Sequence, residues 1–86
     1  MPELFDGAGE ILVWMEPGRE YEFMEIMRGL GLNRQTAYNR LGKLEKYGLV
    51  ETWKERQPPG RRFYRLSKKG ERARELLIEL YRLLES

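Results

Sequence analysis

The spacing of apolar residues changes from segment to segment along the chain, and each change marks an element. Ala8 to Met15 holds Ile11, Leu12, Val13, Trp14 and Met15 in one run. That run is too apolar for a surface helix and predicts a short buried one, with Asp6 near its start. Glu16-Pro17-Gly18 reads as a turn. Phe23, Ile26, Met27 and Leu30 then recur at i, i+3, i+4 and i+7, one face of an amphipathic helix. Its stop is read in Gly29-Leu30-Gly31, because a glycine there permits a left-handed residue and a sharp change of direction. Asn33 is placed to cap a further helix, with Ala37, Leu41 and Leu44 on one face and Tyr47 flanking them. Gly48 is its stop.

Beyond Gly48 the period shortens to two. Leu49 to Glu55 is rich in β-formers (Val50, Thr52, Trp53), and Arg62 to Leu66 alternates, with Tyr64 and Leu66 on one face and Phe63 and Arg65 on the other. Between them Gln57-Pro58-Pro59-Gly60 suits a loop tip, since proline lacks an amide donor and has a fixed φ. These segments predict a β-hairpin, with Tyr64 in the core and Trp53 and Phe63 as a cross-strand pair. Ser67 caps a last helix, Lys68 to about Leu84. Helix, helix, turn, helix, hairpin, helix is the order of a winged helix-turn-helix, a mostly α fold with a small β-hairpin (α+β). Residues 1–86 are read as one such domain.

The last helix carries more apolar surface than one face needs. Leu76, Leu80 and Leu83 form one stripe, and Leu77, Tyr81 and Leu84 a second. One stripe can pack on the parent body, but a small core has little room to cover both. We therefore expect residues 67–86 to hold an isologous homodimer interface. The competing expectation is a monomer whose terminal helix lies across Ile11, Leu12 and Trp14.

Composition narrows the chemistry. The chain has 86 residues, enough for one domain with a modest core, and neither cysteine nor histidine. Disulfides, thiolate nucleophiles and ordinary zinc sites are excluded. No calcium loop or glycine-rich phosphate motif is present, and no acid, base and nucleophile set can be assembled. We expect no cofactor, no metal and no enzymatic activity. There is no apolar run long enough to span a membrane and no signal-peptide pattern, so a cytoplasmic location is expected. The many Glu and Arg among 35% charged residues lean toward a thermophilic source.

Charge is divided unevenly. Residues 1–30 carry two basic and seven acidic side chains, residues 31–72 twelve and four, and residues 73–86 two and three. A basic middle between acidic ends points to a polyanion partner. With Ala37, Leu41 and Leu44 turned inward, Arg34, Gln35, Tyr38 and Asn39 face outward. Arg forks to guanine, and Gln and Asn fork to adenine, in the major groove of double-stranded DNA. Thr36 in the first turn suits a phosphate, and Lys43 and Lys46 can touch backbone. On the hairpin, Arg56, Arg61 and Arg62 are held out by a stiff tip toward phosphates or the minor groove, with Arg65 nearer the body. A protein-interaction module in a larger complex is the alternative, with the hairpin arginines meeting an acidic protein patch.

"LNRQTAYNRLGKLEKYGLVE" resembles the recognition-helix segment of the MarR and PadR regulators, in Leu32-Asn33, Leu41, Leu44 and the Glu45-x-x-Gly48-Leu49-Val50 ending. "RRFYRLSKKG" is similar to their second wing strand running into a helix start, here Leu66-Ser67-Lys68-Lys69-Gly70. Tyr38 and Tyr64 suit the PadR-like version. The resemblance covers about residues 20–75. It implies a dimeric transcriptional regulator on a palindromic operator, often a repressor. The chain lacks the longer helical flanks that form the ligand pocket of MarR proteins, so a small-molecule effector is not expected.

Overall fold

The computed structural model describes residues 7–86, so Asp6, expected near the first helix, lies outside them. Four helices and three strands follow one another as α1 (Ala8–Trp14), β1 (Tyr21–Glu22), α2 (Phe23–Leu30), α3 (Arg34–Lys46), β2 (Val50–Lys54), β3 (Arg62–Leu66) and α4 (Lys68–Glu85). The strands form one antiparallel sheet in the order β1-β3-β2. This is the α+β winged helix-turn-helix that the apolar spacing predicts.

β1 is the element the pattern does not reveal. Two residues are too few to show a period of two, and Tyr21 and Glu22 are defined only by their partners Tyr64 and Phe63 on β3. The hairpin therefore becomes a three-stranded sheet whose first strand runs directly into α2. Tyr21 is fixed from several sides. Its hydroxyl accepts the Glu16 amide at 2.9 Å, its ring lies 5.1 Å from that of Trp14, and the Arg19 guanidinium sits 4.7 Å from its centroid.

The turn between α2 and α3 differs in detail from the expectation. Gly31 takes the left-handed conformation, φ 65°, and Leu32 N–H closes back on the Met27 carbonyl at 2.9 Å. Gly29 does not belong to the turn. It is helical, and a side chain there would run into the Trp14 ring, so its glycine makes room for α1 rather than for a bend. Asn33 caps α3 as expected, its side-chain oxygen accepting the Thr36 amide at 2.8 Å.

The core joins all layers. Ile11, Leu12 and Met15 of the first segment meet Ile26 of α2, Leu41 and Leu44 of α3, and Tyr64 and Leu66 of β3. No described polar or charged residue is buried. Trp53 and Phe63 face each other in register on the outer side of the sheet, rings 6.0 Å apart and nearly parallel.

The start of α4 is locked to the end of α3. Ser67 Oγ accepts the Gly70 amide at 2.9 Å and donates to the Gly48 carbonyl at 2.6 Å, while Ser67 N–H bonds the Leu49 carbonyl at 3.0 Å. Gly70 passes so close to Leu49 that a Cβ would overlap its carbonyl oxygen. The Leu66-Ser67-Lys68-Lys69-Gly70 pattern is thus a backbone junction.

Further along, α4 lies on α1, where Arg74 Nε donates to the Val13 carbonyl at 3.1 Å. Ala73, Leu77 and Leu80 turn to the core. The two-stripe reading assigns Leu77 and Leu80 to the dimer surface; within the protomer Leu77 is buried and Leu80 half-buried against the core. A helix lying on one partner helix buries a seam at i, i+4 and i+7, and that seam takes one residue from each stripe. Leu76 (49% exposed), Tyr81 (38%), Leu83 (70%) and Leu84 (72%) stay open. No helix among the described residues is long and apolar enough to cross a membrane.

Candidate nucleic-acid interface

The outward face of α3 follows from its inward one. With Ala37, Leu41 and Leu44 buried, Arg34, Gln35, Tyr38 and Asn39 are all exposed. Gln35 and Asn39 lie one turn apart, and the Gln35 amide donates to Asn39 Oδ1 at 3.1 Å. This bond fixes the orientation of Asn39 and leaves its own NH2 free to donate. Thr36 is half-buried and its amide is already spent on the cap, so only its hydroxyl remains for a phosphate.

Tyr38 stands against Phe23, the first residue of α2, with ring centroids 4.2 Å apart and planes 23° from parallel. Arg34 leans on the same ring, its guanidinium 5.8 Å from the centroid and 4.0 Å from Met24 Sδ. The two helices of the motif therefore meet through an aromatic shelf that carries both residues.

The wing reaches toward this shelf. Arg61 N–H bonds the Glu55 carboxylate at 3.0 Å, and the Glu55 amide bonds the Arg61 carbonyl at 2.9 Å, which closes the tip loop. Arg62 donates to Thr52 Oγ1 at 3.1 Å across the two strands. Between shelf and tip lies a cleft of about 580 Å³, bordered by Phe23, Arg34, Tyr38, Lys54, Arg61 and Arg62. Beneath it, burial pushes the Tyr64 phenol above its ordinary value of 10.0, with Arg62 and the Thr52 hydroxyl acting in the opposite direction. It is a neutral group at physiological pH.

The sequence-derived residues thus separate into groups. Arg34, Tyr38, Arg61 and Arg62 come together at the cleft, whereas Gln35 and Asn39 form an adjoining pair on the same helix. Arg56 is exposed on the tip loop and Lys43 half-buried on α3, neither bordering the cleft. Lys46 lies near the Tyr47 ring. Arg65 is turned away on the outer sheet face, where Glu51 at 3.2 Å and Glu20 at 3.8 Å neutralise it and Trp53 lies under it. Lys54 is a cleft residue that spacing alone does not identify. Its strand register, opposite Arg62, is the signal that points to it.

This arrangement is that of a DNA-binding regulator, and comparison with known proteins agrees. Residues 9–86 match the HxlR-like helix-turn-helix family, to which the chain belongs. No curated protein sequence matches it. Among solved structures, it is similar to a transcriptional regulator homologue from Pyrococcus horikoshii, with 25% identity and TM-score 0.78 over 93% of this chain and 81% of that one. A MarR-family regulator from Porphyromonas gingivalis shares the fold at 20% identity and TM-score 0.81, over 98% of this chain and 84% of that one. So does FabT of Streptococcus pneumoniae, solved in complex with DNA, at 15% identity and TM-score 0.70 over 90% of this chain and 54% of that one. The expected likeness to winged-helix regulators is met, and family and fold are those of transcriptional regulators and not of enzymes.

Proposed function

We propose that the protein is a homodimeric, sequence-specific regulator that binds double-stranded DNA and represses by occupying a promoter. The observation that carries this reading is the convergence of the exposed α3 face and the wing tip on one basic cleft. In this reading α3 enters the major groove with its N-terminal half, and Arg61 and Arg62 meet the backbone or the adjacent minor groove. Arg56, Thr36 and Lys43 serve as outer backbone contacts. FabT, a protein of the same fold solved in complex with DNA, supports DNA as the partner. In this reading the protein acts in the cytoplasm.

Dimerisation rests on Leu76, Tyr81, Leu83 and Leu84, which remain open after Leu77 and Leu80 have packed inward. Covering them with the twofold mate removes an apolar patch from water and places two recognition helices about one DNA turn apart, ~34 Å. Sedimentation equilibrium tests this. Twice the monomer mass is expected at micromolar concentration, and Leu83→Asp should return the monomer mass and weaken DNA binding while leaving the protomer folded. A wild type that sediments as a monomer would contradict the proposal.

A further inference from the structure

The geometry points to the cleft between α3 and the wing as a clamp for one segment of the DNA sugar-phosphate backbone, with Arg34 as a phosphate ligand in it and not a reader of bases. This rests on the DNA-binding reading above and divides the α3 face in a way that the sequence does not. Arg34, Gln35, Tyr38 and Asn39 look equivalent as outward residues. In the structure Arg34 and Tyr38 part from the other two, Tyr38 stacking on Phe23 and Arg34 folding back over Phe23 and Met24 toward the wing.

There it shares the cleft wall with Lys54, Arg61 and Arg62. One acid, Glu22, also borders the cleft, where the four cations outnumber it. Arg61 is shared with Glu55, whose carboxylate lies 3.9 Å from its Nε. Arg34, Lys54 and Arg62 have no carboxylate partner among the described residues. Three cations with no carboxylate partner among the described residues, around one concave space, suit an anion that passes through it, and a backbone strand is such an anion. The space is large enough for a sugar-phosphate unit.

Phe23 is then a positioning residue. Its ring sets Arg34 against the cleft wall and holds Tyr38 upright beside it. Base reading is left to Gln35 and Asn39, the hydrogen-bonded amide pair that the cleft does not include. Recognition helix and wing thereby grip the same strand, which fixes the register in which the amides meet the bases.

The test uses the full-length protein, a duplex that the wild type selects from a random pool, and a scrambled duplex of the same length, each titrated with salt. Arg34→Ala should weaken both duplexes by the same factor, roughly tenfold or more, and lower the slope of log K against log salt by about 1. Asn39→Ala should weaken the selected duplex alone and leave the slope unchanged. Phe23→Leu, checked for folding by its thermal transition, should move the slope as Arg34→Ala does and add little in the Arg34→Ala background. Loss of sequence preference with an unchanged slope in Arg34→Ala would overturn the clamp and return Arg34 to base reading. A wild type with no salt-dependent duplex binding would instead sink the DNA-binding reading itself.

Discussion

At the junction of α3, β2 and α4, backbone meets backbone. Gly48, Leu49, Ser67 and Gly70 exchange hydrogen bonds with no room for an added methyl group at Gly70. At the far end of the same hairpin, the tip from Arg56 to Arg62 is largely exposed, and Glu55 at the base of the loop closes it. The two regions are joined by strands only five residues long. The first sets where the hairpin points, and the second supplies the charge that it presents. Substitutions in the two should therefore fail in different ways, the junction in stability and the tip in binding.

The largest effect is expected at Gly70. Gly70→Ala forces a Cβ onto the Leu49 carbonyl, backbone that has no side-chain freedom to yield. A loss of about 3 kcal/mol is expected from such overpacking. Chemical denaturation measures it, and a variant within experimental error of wild type would show that the junction is not rigid.

Next comes the tip. Arg61 and Arg62 replaced together by Ala should cost about 1 kcal/mol of stability, mainly for the Arg62–Thr52 bond. The slope of log K against log salt should fall by about 1 for each phosphate that the wing no longer neutralises. An unchanged slope would mean that the wing does not touch DNA, and the comparison between the two regions would lose its functional half.

The smallest effect sharpens the contrast within a single strand. Arg65 lies three residues from Arg62 on β3 but is held by Glu51 and Glu20 over Trp53. Arg65→Ala should leave the salt slope as it is and cost at most about 1 kcal/mol for its exposed pairs. A slope reduced as much as in the tip variant would place Arg65 on the DNA as well.

Arg65 and Arg62 also mark the limit of what the chain reveals before folding. Helix limits, caps and the hairpin are local properties, carried by Asn33, Ser67, Gly31 and the alternation of Arg62 to Leu66, and they are legible within a few residues. The charge state of a given arginine's surroundings depends on residues far away in sequence, as Glu20 and Glu51 do for Arg65. β1 is hidden for the same reason, being a strand only by virtue of β3. The cleft needs three separate segments, so Lys54 and Phe23 could not be assigned to it from spacing. Even on α4, where the excess of leucine is plain, the choice of Leu77 and Leu80 for the core depends on the position of α1.

Two copies of this chain, in the reading proposed above, recognise a symmetric DNA site through α3. Sequencing the duplexes that the purified protein enriches from a random pool tests this most directly. A near-palindrome is predicted, with half-site centres about 10–10.5 base pairs apart, as two recognition helices one helical turn apart require. Enrichment of a single asymmetric half-site, or of no sequence above background, would contradict it.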